Sequence, residues 1–282
     1  MSFTPEWLAL RERADHAARD EALANRLRGH LAGRRAAAPL RIVDLGCGTG
    51  SNLRYLAPRL PTPQHWMLVD NDPAVLRLLP RQAGCEPREL DLARDLERLP
   101  LQQAGLVTAT ALLDLVSEAW VQRLAARVTA AGRARPALLF ALSYDGRMTW
   151  TPAHPADGAV ADAFNRHQRG DKGFGRALGP AAADRTARLL RAAGYEVAQA
   201  ASDWVLDATA GQPLQRALAL GVASAVASAV ASAADPAAPA APAAAPAAAS
   251  AADWLPFRLA EIDAGRSSLR VGHVDLLALP GR

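Results

Sequence analysis

The chain has 282 residues, of which 50% are hydrophobic and 21% are charged, and these values are typical of a globular protein of one large domain or two small ones. The formal net charge is +4, but acidic residues are interspersed with the arginines, so no block of like charge favours a nucleic-acid partner. Two cysteines, Cys47 and Cys85, exclude a disulfide framework and a four-cysteine metal site, and no metal is expected.

The same features predict where the protein works. Few cysteines indicate a reducing compartment, and the N-terminal residues lack a charged-then-apolar signal pattern, so we expect a cytoplasmic protein. The longest uncharged run, 217–234, contains mostly alanine and serine, which gain little from transfer into hydrocarbon. We therefore expect no membrane association. The sequence leaves the oligomeric state open.

The first predicted element is a helix over residues 5–32. Thr4 can cap it, Pro5 suits its first position, and Leu23, Leu27 and Leu31 recur on one face. From residue 40 onward, short apolar runs alternate with helical stretches. The runs are 40–45, 66–69, 106–110 and 137–142, and the clearest helices are 118–130 and 180–193. This alternation predicts a mostly parallel sheet covered on both faces.

Two further strands are predicted at 195–205 and 269–279, with an insertion between them. In the insertion, Val222, Val226 and Val230 recur at a spacing of four and predict a weakly apolar helical face. Residues 235–250 are a Pro/Ala tract that predicts a disordered linker, after which Asp253 or a neighbour is expected to cap a short final helix. The expected organisation is a helical cap (1–38), a core (39–206), a helical insertion (207–268) and a final strand with the C-terminus (269–282).

The strongest motif is the segment 40–53, a buried strand followed by Gly46, Gly48, Gly50 and the start of a helix. Alternating glycines allow a tight turn and leave no Cβ between the backbone and a ligand. In a doubly wound sheet such a turn lies at the carboxyl end of a central strand, where ligands bind. Asp70, about twenty residues on at the end of the second strand, is placed to meet ribose hydroxyls.

The glycine spacing differs from the G-x-G-x-x-G of dinucleotide-binding proteins, although a nicotinamide oxidoreductase remains an alternative. The string Val-Asp-Leu-Gly-Cys-Gly-Thr-Gly at 43–50 closely resembles the first motif of class I S-adenosylmethionine-dependent methyltransferases. The resemblance covers about residues 38–205 and the last strand. It implies a Rossmann-like, doubly wound α/β fold of seven strands, mostly parallel with the last antiparallel, and S-adenosylmethionine as the cofactor.

The resemblance also implies residue roles. The three glycines would line the methionyl and ribose portion, Asp44 would hold the amino end, and Asp91 would lie near the adenine amino group. The set predicted to bind the cofactor is Asp44, Gly46, Cys47, Gly48, Gly50, Asp70, Asn71, Asp91, Thr110 and Leu112. Structural alternatives are that Asp70 caps a helix before Pro73, that Asp91 is a capping or surface acid, and that Cys47 only fits a small space.

The acceptor is predicted to be a small molecule, by analogy within the family. The end of the fourth predicted strand lacks the Asn/Asp-Pro-Pro-Tyr sequence that family members use on base amines and glutamine amides. Two alternatives remain: an RNA or protein methyltransferase, and a cofactor-binding partner subunit without activity of its own.

A polar cluster follows the fifth predicted strand. His167 is a candidate base, Asp171 could orient it, and Lys172, the only lysine in the chain, or the arginines could hold an acidic acceptor. The residues predicted to contact the acceptor are Arg11, Asp114, Tyr144 and Arg169. The structural alternatives are an exposed loop histidine, a helix that begins at Asp114, and an N-terminal helix that packs on the sheet edge instead of covering the site.

Overall fold

A computed structural model describes residues 3–33, 38–130, 132–233 and 244–281. Within these ranges, eight strands form one sheet in the order β3-β2-β1-β4-β5-β8-β6, and β7 pairs with β8 beyond β6. The strands are β1 (Leu40–Leu45), β2 (Gln64–Asp70), β3 (Cys85–Glu89), β4 (Leu106–Thr110), β5 (Ala137–Thr151), β6 (Tyr195–Ala201), β7 (Trp204–Leu206) and β8 (Ser268–Pro280). β1 to β5 pair in parallel and β8 is antiparallel to its neighbours. The predicted fold class is confirmed, with eight strands instead of seven.

The additional strand arises because the predicted strand 195–205 is divided. A turn at Ser202 and Asp203 separates β6 from β7. The Ser202 N–H donates to the His273 carbonyl at 2.9 Å, and the Asp203 carboxylate lies 2.9 Å from Arg147. β8 is long enough to pair with both halves. A polar turn held by distant residues therefore interrupts an otherwise continuous strand.

The described helices cover both faces of the sheet. They are α1 (Pro5–Ala18), α2 (Glu21–Ala32), α3 (Ser51–Leu56), α4 (Pro73–Leu76), α5 (Glu118–Thr129), α6 (Asp157–Gln168), α7 (Ala182–Ala192), α8 (Gln212–Ala233) and α9 (Ala244–Asp263). One core cluster joins α5 and α7 to one face of the sheet, and another joins α2 and α3 to the opposite face. Burial on both faces is what a parallel sheet requires.

The single N-terminal helix predicted over 5–32 is wrong, because α1 ends at Ala18 and α2 begins at Glu21. Arg19 has an extended backbone, and the Asp20 carboxylate accepts from the Leu23 N–H at 2.7 Å as the cap of α2. Aspartate is a favoured N-cap residue, and the buried Arg19 side chain pairs with Asp275 of β8 at 3.3 Å. Capping and this ion pair together divide the helix.

The fifth strand is longer than the predicted 137–142. Residues 143–147, expected after the strand, lie inside β5. Ser143 and Tyr144 pair with β8, and a register shift follows before pairing resumes at Met148. Pairing with β8, which is distant in sequence, supplies the hydrogen bonds that extend β5. This pairing cannot be predicted from the residues of β5 alone.

The insertion packs as helices over this lengthened end of the sheet. Val222 and Val226 of α8 are buried as predicted, in a cluster with Trp150 and Trp254. The side chain of Val230 lies outside the described part. α6 and α9 contribute to the same cluster.

The predicted disordered linker is partly corrected. Residues 235–243 lie outside the described part of the chain, but 244–250 are helical, as the first turns of α9. Asp253 is consequently inside a helix and caps none. Alanine has the highest helix propensity, and burial of Trp254 and Ile262 stabilises the second half of α9, so helix extends back into the Ala-rich tract.

Candidate functional site

A cavity of about 390 Å³ opens where β1, β2 and β4 end. This volume is within the range of about 300–1,000 Å³ that is usual for small-molecule sites. The predicted site residues in its wall are Arg11, Gly46, Cys47, Gly48, Asp70, Asn71, Asp91, Thr110, Leu112 and Lys172. The structure thus brings the glycine turn, the two strand-end acids and the end of β4 to one space.

The glycine turn forms one side of the cavity. Gly46 and Gly48 have φ of 67° and 52°, in the left-handed region that side chains disfavour. A Cβ on Gly48 would lie 3.1 Å from Leu8 Cδ1 of α1. Gly50 lies outside the wall, and a Cβ there would meet Leu79 at 2.9 Å. Gly46 and Gly48 therefore keep the wall open, whereas Gly50 allows the turn to pack.

The carboxylate of Asp70 fixes the turn from the neighbouring strand. Its Oδ2 accepts from the Gly48 N–H at 2.9 Å, and its Oδ1 accepts from the Asp72 N–H at 3.0 Å. The alternative in which Asp70 caps the following helix is wrong, because Asp72 caps α4 by accepting from Ala74 N–H at 2.8 Å. Asp91 lines the cavity, as a residue near the cofactor would, and its carboxylate also accepts from the Ala93 N–H at 2.9 Å, as a capping acid would.

Asp44 lies behind the wall instead of in it. Its side chain is buried, and its Oδ1 accepts from Asn52 Nδ2 at 2.8 Å. Burial, only partly opposed by this hydrogen bond and by Arg19, raises the pKa of Asp44 to about 7. Asn52 lines the cavity, donates to Thr108 Oγ1 at 3.1 Å and accepts from Arg19 at 3.1 Å. Sequence reasoning missed Asn52, although a polar residue two positions after the last glycine is a usable signal.

Helix α1 covers the cavity, as a lid would. Arg11 and Asp15 both line it and form a bidentate ion pair at 2.9 and 3.1 Å. Asp15 also accepts from Trp204 Nε1 at 3.0 Å, and the Arg11 guanidinium lies 5.0 Å from the Trp204 ring. Burial raises the pKa of Asp15 despite these partners.

Two further contacts join α1 to the glycine turn. His16 Nε2 lies 3.0 Å from Ser51 Oγ, and Glu12 pairs with Arg54 at 2.5 Å. The same Arg54 donates to the Thr49 carbonyl. Sequence alone could not select these contacts, because they join segments about forty residues apart.

The polar cluster after β5 is only partly brought to the site. Lys172 lines the cavity, 8% exposed, with its Nζ donating to the His167 carbonyl at 3.0 Å. His167, Asp171 and Arg169 do not line it. Asp171 Oδ1 instead accepts from two backbone N–H groups of its own loop, Gly173 at 2.7 Å and Gly175 at 3.0 Å. The cluster is divided because His167 and Arg169 lie at the end of α6, while Lys172 is in the loop that follows.

Tyr144 and Asp114 also lie outside the cavity wall. The Tyr144 hydroxyl donates to Asn165 Oδ1 at 2.9 Å, and burial raises the pKa of this tyrosine. Burial raises the pKa of Asp114 to about 6. Asp114 does not begin a helix, because Ser117 caps α5. Neither residue therefore faces the cavity.

Two searches of the described residues concern other kinds of site. No group of three or more His, Cys, Asp or Glu side chains there could hold a metal ion. None of the helices in the same ranges is long and apolar enough to cross a membrane.

Residues 42–133 match a family model described as a methyltransferase domain. No curated protein matches the chain. A cyclopropane-fatty-acyl-phospholipid synthase-like protein from Lactobacillus casei aligns with a TM-score of 0.50 and 12% identity, over 99% of this chain and 95% of that one. That likeness shows a shared fold.

Two other solved structures are similar at lower scores. A SAM-dependent methyltransferase from Thiobacillus denitrificans, in complex with S-adenosylhomocysteine, has a TM-score of 0.42 and 14% identity over 98% of this chain and 99% of that one. A Haemonchus contortus phosphoethanolamine N-methyltransferase 2 has a TM-score of 0.45 and 12% identity over 93% of this chain. The present chain spans 52% of the length of that enzyme.

Proposed function

We propose that the chain is a class I S-adenosylmethionine-dependent methyltransferase and that it transfers a methyl group to a small molecule by direct displacement. The observation that carries the proposal is the covered cavity in which Gly46, Gly48, Asp70 and Asp91 meet. The matched methyltransferase domain contributes all four of these residues. No subfamily is identified.

The residues present fit the cofactor. The Gly46–Gly48 turn leaves free a space that a Cβ would fill, and backbone there can approach a ligand closely. Asp70 already orients its carboxylate through two N–H donors and retains acceptor capacity for ribose hydroxyls. Asp91 at the far wall is suited to the adenine amino group. Bound S-adenosylmethionine would supply an electrophilic methyl group on a sulfonium.

The chain then contributes position and water exclusion, which are the main requirements of an in-line displacement. Asn52, held by Asp44, Thr108 and Arg19, keeps the turn and the end of β4 in register. His167 is outside the wall, so the predicted base does not face the cavity. This arrangement favours an acceptor that needs little help in losing a proton.

The covering helix supports a small acceptor. α1 is joined to the cavity rim through Arg11, Asp15 and Trp204 on one side and through His16 and Ser51 on the other. A polynucleotide or a folded protein would have to displace these contacts to reach the end of β4. The small-molecule reading is therefore preferred to the RNA and protein alternatives.

The test uses the purified full chain with methyl-labelled S-adenosylmethionine and three acceptor pools: a small-molecule extract, tRNA and denatured protein. We expect label in the small-molecule fraction, with equal release of S-adenosylhomocysteine. Label in tRNA or protein alone would contradict a small acceptor. Cofactor binding without product from any pool would support a partner subunit instead.

A further inference from the structure

Lys172 lies in the cavity wall without a carboxylate partner. It is 8% exposed and lies in the wall, and it is the only lysine of the chain. Within the described residues, no carboxylate lies within 4.0 Å of its Nζ, whose polar contacts are the His167 carbonyl at 3.0 Å and His167 Nδ1 at 3.4 Å. Buried charges in proteins are nearly always paired. Among the described residues, Lys172 has no such counter-ion, which leaves room for one supplied by a ligand.

The cation that α1 contributes to the wall is paired, unlike Lys172. Arg11 is neutralised by Asp15 through two hydrogen bonds at 2.9 and 3.1 Å. The acids on the opposite part of the wall are also engaged, Asp70 with the glycine turn and Asp91 with Ala93 and Arg94. An incoming anion would therefore find its uncompensated charge at Lys172.

The loop that carries Lys172 leads into residues that are hydrogen-bonded to the segment between β4 and α5. The Leu178 N–H donates to the Val116 carbonyl at 2.8 Å, and the Gly179 N–H donates to the Asp114 carbonyl at 3.0 Å. Phe174, also in the wall, packs edge-on against Trp120 of α5 with ring centroids 5.8 Å apart. Lys172 and Phe174 therefore lie together in the cavity wall, on a loop that hydrogen bonds and ring packing hold in place.

We propose that the methyl acceptor carries a carboxylate or phosphate group that pairs with Lys172 Nζ inside the cavity. This inference rests on the proposed function and specifies the acceptor as an anion. Charge-assisted hydrogen bonds of this kind are roughly twice as strong as neutral ones.

The competing reading is that Lys172 serves only to close the end of α6. Its bond to the His167 carbonyl fits that role, because basic side chains stabilise helix C-termini. The two readings differ in outcome: a purely structural lysine affects the melting temperature but not the binding of anions.

The test is calorimetric titration of the full chain, saturated with S-adenosylhomocysteine, with benzoate, inorganic phosphate and neutral benzamide. The variants are Lys172→Met and the control Arg176→Met, which removes an exposed cation from the same loop. We expect benzoate or phosphate to bind wild type and Arg176→Met at least about tenfold more tightly than Lys172→Met. Benzamide should not discriminate among the variants.

A second measurement is independent of the variants. Because Lys172 is the only lysine, reductive dimethylation can modify just its amine and the α-amino group, and the latter serves as an internal control. Bound benzoate or phosphate should slow modification of Lys172 alone. The inference is overturned if neither anion protects Lys172, or if both bind Lys172→Met as tightly as wild type. Failure of wild type to bind S-adenosylhomocysteine would instead contradict the proposed function. In that case the anion titration, repeated without S-adenosylhomocysteine, still tests whether Lys172 binds an anion.

Discussion

Replacing Asn52 by alanine tests the buried network behind the glycine turn. Asn52 is 4% exposed and provides a donor to Asp44 at 2.8 Å and an acceptor to Arg19 at 3.1 Å. Its loss leaves a buried carboxylate and a buried guanidinium each without one partner. A hydrogen bond to a charged group contributes about 1.5–3 kcal/mol, so the free energy of unfolding should fall by roughly 3–6 kcal/mol. The corresponding loss in Tm is on the order of 10 °C.

This cost should depend on pH in a defined direction. Burial raises the pKa of Asp44 to about 7, so the folded state holds a proton there that the unfolded state loses near pH 4. Asp44 therefore stabilises the fold fully below its unfolded pKa, and this contribution is lost as pH rises through 7. The hydrogen bond from Asn52 lowers the pKa of Asp44, so its removal raises that pKa further. The deficit of Asn52→Ala should thus be larger at pH 8.5 than at pH 5.5.

The assay is urea denaturation of wild type and Asn52→Ala at both pH values. Gln103→Ala is the control, because it removes an exposed hydrogen bond of 2.8 Å to Arg41 and should change the free energy of unfolding by less than about 0.5 kcal/mol. A loss below about 1 kcal/mol for Asn52→Ala, or an equal loss at the two pH values, would refute the reasoning.

Three other substitutions test separate parts of the structure. Asp15→Ala leaves the partly buried Arg11 without its partner, and it should cost about 3 kcal/mol in urea unfolding. It should also weaken S-adenosylhomocysteine binding by loosening α1, and unchanged affinity would show that α1 is no lid. Arg258→Met breaks the pair with Asp157 at 2.5 Å and should lower stability by about 3 kcal/mol, whereas a wild-type melting curve would contradict burial of that pair. Asp70→Asn should weaken S-adenosylhomocysteine affinity at least about tenfold by calorimetry while the fold persists, and equal affinity would exclude Asp70 from the site.

The glycine turn and the central strands could be predicted because their signals are local. The run 40–45 predicts β1, and the three glycines that follow predict a turn, which the positive φ values of Gly46, Gly48 and Gly50 confirm. Asp70 follows from the end of β2 for the same reason. Neighbours in sequence supply the information needed for each of these inferences.

The remaining features depend on partners distant in sequence. The break at Arg19 depends on Asp275, and the turn between β6 and β7 depends on Arg147 and His273. Asn52 is held in the cavity wall by hydrogen bonds with Arg19 and Thr108. His167 lies in the last turn of α6, outside the wall. No periodicity in the chain reports such contacts.

The most direct test of the central claim is calorimetric titration of S-adenosylhomocysteine into wild type and Gly48→Val. Valine at φ 52° is strained, and its side chain would reach toward Leu8 across the space that the cofactor needs. Gly221→Ala is the matched control, because no atom lies within 4 Å of the added Cβ. We predict binding by wild type and Gly221→Ala and none by a folded Gly48→Val. A wild-type chain that does not bind, or a Gly48→Val variant that binds equally well, would contradict the account.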